Sequence, residues 1–117
     1  MMNITEFSHR TGLSAHTLRY YEKIGLLSNI ARSKAGHRNY RDADIEWAQF
    51  INRLKETGMP IKEILHYSHL REEGNATMAQ RLTLLTEHRV RLEQRIRAER
   101  QNLKALTGKI HWYEEQI

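Results

Sequence analysis

The stretch Ser14-Ala15-His16-Thr17-Leu18-Arg19-Tyr20-Tyr21-Glu22 decides how the rest of the chain is read. Apolar Leu13, Leu18 and Tyr21 alternate with His16, Thr17, Arg19 and Tyr20 at helical spacing. One side of such a helix can anchor in a core while the other presents hydrogen-bond donors. That division suits the major groove of double-stranded DNA, where base edges display a readable pattern of donors and acceptors. Ser14 can cap the helix at its start and Gly25 can stop it.

Working outward, Asn3-Ile4-Thr5-Glu6 has the form of a capping box, with Asn3 as the cap and Glu6 reaching back. A short helix with Ile4 and Phe7 inward should follow and end at Thr11. Gly12-Leu13-Ser14 then reads as the turn of a helix-turn-helix, with a glycine free to take positive φ, a buried leucine and the next cap. Beyond Gly25, the segment Ala31–Tyr40 predicts two short strands around a turn containing Gly36, a wing that would lie along the phosphate backbone. Taken alone, the same segment could be a solvated basic loop. The preceding helix-turn-helix favours the wing, and positive charge is focused on the reading helix and this segment: Arg10, Arg19, Lys23, Arg32, Lys34, Arg38 and Arg41 stand against the single acid Glu22, whereas the segment from Asp42 to Asn75 is weakly acidic. Asp42 can cap a further helix with Ile45, Ala48, Ile51 and Leu54 inward until Gly58 ends it. Pro60 suits the first turn of another, with Ile61, Ile64, Leu65 and Tyr67 on its buried side.

Three of these pieces together, Thr17-Leu18-Arg19-Tyr20-Tyr21-Glu22, Gly25-Leu26-Leu27 and Gly36-His37-Arg38-Asn39-Tyr40, resemble the signature of the MerR family of bacterial transcription regulators. The resemblance covers roughly residues 3–73 without an insertion. It implies a mainly α fold: a winged helix-turn-helix with a second helical pair, followed by a long dimerisation helix that forms an antiparallel coiled coil. By position, Thr17, Arg19 and Tyr20, with His16 beside them, would contact bases. Arg38, Tyr40 and Arg41, with Lys34 and His37, would serve the wing and neighbouring phosphates. Leu18 and Tyr21 belong to the core. The family also implies a promoter with an over-long spacer, which the dimer bends and untwists so that RNA polymerase can engage both promoter elements.

The segment from Asn75 to Leu106 carries the dimerisation reading. Met78, Leu85, Leu92, Glu99 and Leu106 form one seven-residue series, and Leu82, Arg89, Ile96, Leu103 and Ile110 form another offset by four. A parallel pair would set Arg89 against Arg89 and Glu99 against Glu99. An antiparallel pair centred near Gln94 joins positions whose numbers add to 188 (78 with 110, 82 with 106, 85 with 103, 89 with 99, 92 with 96), so each charge meets its opposite. Charges in such a seam select register at some cost in stability. The expected domains are residues 1–74, the DNA-binding unit; 75–108, the coil; and 109–117, a tail beyond Gly108.

Composition bounds what else is possible. The chain has 117 residues, 39% hydrophobic and 28% charged, enough for one small folded domain with an appendage. A net charge of +5 and a sequence pI near 9.7 permit nucleic-acid binding without establishing it. There is no cysteine, which removes disulfides, thiolate ligation and cysteine nucleophiles together. His66 and His69 lie three apart but want further ligands, so no metal site is expected. Nucleophile and base pairs, Gly-rich phosphate loops and paired carboxylates are missing, so neither catalysis nor a cofactor is expected. No export signal or apolar run of membrane length occurs, which points to the cytoplasm and away from membranes.

The effector is the least legible part. Phe50 to Ile64 looks most like the family branch that responds to aldehydes and related thiol-reactive stress, in which a cysteine is expected close to Arg53; this chain has none, so direct thiol sensing does not carry over. A small-molecule effector would have to sit between one subunit's head and the partner's C-terminal tail, with Trp47, His66, Tyr67, Trp112 and Tyr113 as candidate walls. Plain interface packing is the alternative for these aromatics. For the whole chain, the rivals to a regulator are an architectural DNA-bending protein without an effector, and a coiled-coil interaction protein whose basic head is incidental.

Overall fold

The computed structural model describes residues 2–117. Its order is α1 (Ile4–Thr11), α2 (Ala15–Lys23), β1 (Ala31–Arg32), β2 (Arg38–Asn39), α3 (Asp42–Glu56), α4 (Ile61–Glu72), a 3-10 turn (Gly74–Thr77) and α5 (Met78–Gln116). The first four helices and the hairpin form a head, from which α5 extends.

Each helix of the head begins and ends for local reasons. Asn3 Oδ1 accepts from Glu6 N at 2.9 Å, the forward half of the expected capping box; no return bond from the Glu6 carboxylate is found among the described residues. Gly12 takes φ +75°, and Ser14 Oγ accepts from Thr17 N at 3.0 Å to start α2, so the helix-turn-helix forms at the expected residues. The cap of α3 differs from expectation. Asp42 is its first helical residue, while the carboxylate of Asp44 accepts from the Arg41 backbone N–H at 3.0 Å, because the carboxylate two residues further on can fold back over the helix start. Pro60 likewise stands just outside α4 as its N-terminal flank and not within the first turn.

Between α3 and α4 the chain reverses at Gly58, with φ +93°. Met59 N donates to Leu54 O at 2.9 Å and Gly58 N to Lys55 O at 3.1 Å, the paired bonds of a glycine-terminated helix. Met59 and Leu54 are both buried beside this reversal.

A core of Phe7, Leu18, Tyr21, Leu26, Leu27, Tyr40, Ala48, Ile51 and Ile64 joins the helices and the base of the wing. Leu18 and Tyr21 are fully buried, as the helical spacing predicts. The hairpin pairs Ala31 with Asn39 and Arg32 with Arg38, and Met2 adds a bridge to Tyr40 on its other side, through bonds of 2.8 and 2.7 Å. That bridge was not legible in the sequence. Ser28 Oγ donates to Glu72 at 2.6 Å, tying the loop after α2 to the end of α4.

The 39-residue α5 is about 58 Å long at 1.5 Å per residue. It explains why the radius of gyration is 19.7 Å, when a compact chain of this length would have about 13 Å. Its start packs on the head through Leu84, Leu85 and His88, whose Nε2 lies 2.8 Å from Thr57 Oγ1. Arg91 reaches Glu63 at 2.9 Å. Two expectations are corrected here. The helix begins at Met78, after a 3-10 turn and not at Asn75, and it passes through Gly108 unbroken, so residues 109–116 are its last turns and no separate tail. Glycine inside a helix costs only about 1 kcal/mol, which the flanking helical turns absorb.

Candidate nucleic-acid interface

On α2, the side opposite Leu18 and Tyr21 carries His16, Arg19 and Tyr20, all exposed. Thr17 is half-buried, and its hydroxyl lies 3.0 Å from Ser14 Oγ, so part of its hydrogen-bonding capacity serves the start of the helix. Beside this face stands the hairpin, whose turn closes through Ser33 N to His37 O at 2.7 Å and presents Lys34 and His37 to solvent. The structure thus leaves His16, Arg19, Tyr20, Lys34 and His37 exposed.

Three wing residues are placed otherwise than a set of free phosphate donors would be. Tyr40, expected at the wing contact, is 0% exposed; its ring stacks on Phe7 with centroids 4.1 Å apart, and its hydroxyl is buried without a partner among the described residues. It is a core residue, because the Met2 bridge and the Phe7 ring close over it. Burial raises its pKa above the usual tyrosine value. Arg41 is spent in part on α3, with its guanidinium 3.2 Å from Asp44, whose hydrogen bond raises the pKa of Arg41 further. Arg38 donates its Nε to Glu22, which holds the guanidinium more firmly charged, and leaves its two terminal nitrogens without a hydrogen bond among the described residues. Glu22 also accepts from Arg32 at 3.2 Å. The sequence reading counted Glu22 and Arg32 in the charge balance but gave neither a contact; the signal available was one acid among seven bases, with two arginines straddling the Gly36 turn.

The effector candidates are not assembled within one chain. Trp47 and Tyr67 stack at 6.0 Å with Phe50 5.9 Å from Tyr67, and Arg71 lies 4.1 Å over the Trp47 ring. The Trp47 indole N–H donates to Leu26 O at 2.7 Å, so this ring is first a core anchor. His66 lies in a different surface groove of α4 with Pro60, Leu65 and His69. Trp112 and Tyr113 pack edge to face at 5.0 Å near the far end of α5, both exposed.

The coil series is mostly open to solvent: Met78, Leu82, Ile96, Leu103, Leu106 and Ile110 are exposed, and among the described residues the ion-pair neighbour of Arg89 is Glu93 of its own helix, at 3.8 Å. Among the described residues no group of three or more metal-ligating side chains occurs, and no helix is long and apolar enough to cross a membrane.

Comparison with known proteins agrees with this geometry. The chain is 38% identical over 91 residues to the HTH-type transcriptional regulator AdhR of Bacillus subtilis, covering 78% of this chain and spanning 65% of that relative. Among solved structures it is similar to HiNmlR, a MerR family regulator lacking the sensor domain, bound to promoter DNA, with 31% identity, a TM-score of 0.88 and coverage of 97% of this chain and 86% of that one. A MerR family transcriptional regulator from Listeria monocytogenes gives 36% identity and a TM-score of 0.92, again over 97% and 86%. The family model for MerR HTH regulatory proteins matches residues 2–70, and the MerR DNA-binding model matches residues 45–109, so that head and long helix alike are accounted for. The chain belongs to the MerR family of DNA-binding transcription regulators.

Proposed function

We propose that two copies of this chain pair through α5 as an antiparallel coiled coil and place their α2 helices in two half-sites of a near-palindromic promoter spacer. The observation that carries the reading is the pairing of two unfilled surfaces on one chain: a donor-bearing face on α2 beside a cationic wing, and an apolar row on α5. An apolar row of that length on a soluble chain marks an interface, and two-fold symmetry of the protein calls for two-fold symmetry of the site. Bending and untwisting the spacer costs on the order of several kcal/mol, supplied by phosphate contacts from both wings. RNA polymerase at that promoter, in the cytoplasm, is the partner that reads the distortion. The chain lacks cysteine, so a stress signal would act through a small molecule seated between Trp47 and Tyr67 of one head and Trp112 and Tyr113 of the partner. In that position, residues 112 and 113 stand level with residues 76 and 75 of the other copy.

Selection of duplexes from a random pool, followed by Arg19→Ala, tests the reading. The variant should bind the selected duplex weaker by about 1–3 kcal/mol and scrambled DNA nearly as before. Equal loss on both would remove Arg19 from base reading. Tight binding without a promoter-spacer site would favour an architectural DNA-bending protein.

A further inference from the structure

We propose that Glu22 is a positioning residue for DNA recognition: its carboxylate ties both strands of the wing to the reading helix and so sets where the wing's cations stand relative to the base-reading face of α2. The inference rests on the DNA-facing role of α2 and the wing given above.

The hairpin needs such a tether. Its strands are two residues each, and a two-stranded ribbon of that size does not hold its own orientation in water. The Met2 bridge to Tyr40 secures only the base of β2. Farther along, Glu22 in the last turn of α2 takes a donor from each strand: Arg32 Nη2 of β1 on one oxygen at 3.2 Å, and Arg38 Nε of β2 on the other. Arg32 and Arg38 are direct cross-strand partners. Arg32 also donates to Gly36 O in the turn at 3.4 Å, so strands and turn converge on one carboxylate. The pair with Arg38 is largely sheltered, with 27% of the arginine and 21% of the glutamate side chain exposed, where solvent weakens it less than at an open surface.

Charge makes the case sharper. Glu22 lies three residues from Arg19 on a helix otherwise free of acids, and a carboxylate near DNA opposes the phosphates. Retaining it costs affinity for any duplex, which is offset only where wing placement is rewarded, on a matching site. Tethering and repulsion therefore have opposite signs on the matching site, while repulsion alone acts on scrambled DNA, and this separates them from a plain folding role.

The 117-residue chain and its Glu22→Gln variant are titrated, at fixed salt, with the duplex that the wild type selects from a random pool and with a scrambled duplex of equal length. Glutamine keeps the size and removes the charge. The selected duplex should bind about tenfold weaker or more, as loss of charge-assisted bonds implies, while the scrambled duplex binds equally or tighter. Glu22→Asp, which keeps the charge but falls short of spanning both arginines, should leave scrambled binding at the wild-type level and still weaken the selected duplex; it also serves if the glutamine variant unfolds. Equal loss on both duplexes, equal gain on both, or no change on either overturns the tether. A wild type that selects no duplex overturns the DNA reading itself, and the tether with it.

Discussion

Tyr40 illustrates how a single hydroxyl can be judged from its surroundings. The phenol is buried with its oxygen unpaired, and an unpaired buried polar group costs about 1–3 kcal/mol. Tyr40→Phe keeps the ring on Phe7 and removes the orphan, so the variant should be as stable as the wild type or more stable by up to about 1–3 kcal/mol in urea unfolding, with DNA affinity unchanged. A loss of affinity would return the hydroxyl to the phosphate contacts. Burial raises the pKa of both Tyr21 and Tyr40. A group whose folded pKa lies above its unfolded value contributes stability that is complete below the unfolded value, near 10 for tyrosine, and lost as pH rises through the folded one. Thermal unfolding should therefore soften above about pH 10, and less so in Tyr40→Phe. At the cationic residues, Arg38→Ala should weaken binding on all sequences and flatten the salt dependence by roughly one phosphate contact, and should weaken a selected duplex further, because it also removes one of the two bonds by which Glu22 holds the wing. That outcome fits the two nitrogens that Glu22 leaves unbonded.

Where elements meet, Gly58 carries the most constrained geometry. It closes α3 with φ +93°, and a Cβ there would stand 3.1 Å from Nη1 of Arg95 on α5. Gly58→Ala imposes the left-handed conformation on a side chain, at about 1–2 kcal/mol, and presses on the arginine; the loss is measured by urea unfolding, and an unchanged midpoint would show that the turn relaxes. Gly58 was legible as a stop, because a glycine between two apolar periodic runs has few other readings, but its contact with α5 was not, since nothing local links positions 58 and 95. The same division holds across the head. Helical spacing marked Phe7, Leu18, Ile51 and Ile64 as core, and the Gly36 turn marked the wing. Tyr40 was misread because a tyrosine suits a phosphate contact and a core equally; the deciding partners, Met2 and Phe7, lie more than thirty residues earlier. Glu22 escaped for the same reason, as its arginines come from strands whose register only pairing settles.

At the scale of the whole molecule, in the proposed dimer α5 would set how far apart two heads stand, and the charges in its apolar row would choose between orientations. Arg89 is 71% exposed, with Glu93 of its own helix as its one ion-pair neighbour among the described residues, at 3.8 Å, so it is available to a second copy. In the antiparallel register each Arg89 faces a Glu99 of the other copy, and symmetry makes two such layers. Arg89→Glu then sets like charges in both layers and should raise the dimer dissociation constant about tenfold or more in sedimentation equilibrium. Adding Glu99→Arg exchanges the signs and should restore the wild-type constant within a few-fold, since each layer again pairs opposite charges. A parallel dimer behaves differently: residues 89 and 99 face their own copies, so wild type, single and double variants all place like charges together and dimerise alike. Recovery in the double variant alone therefore selects the antiparallel coil, and with it heads at opposite ends of a helix pair about 58 Å long, as one 39-residue helix dictates. Three equal constants would leave the α2 helices on one side of the coil and remove the geometric basis for two separated half-sites.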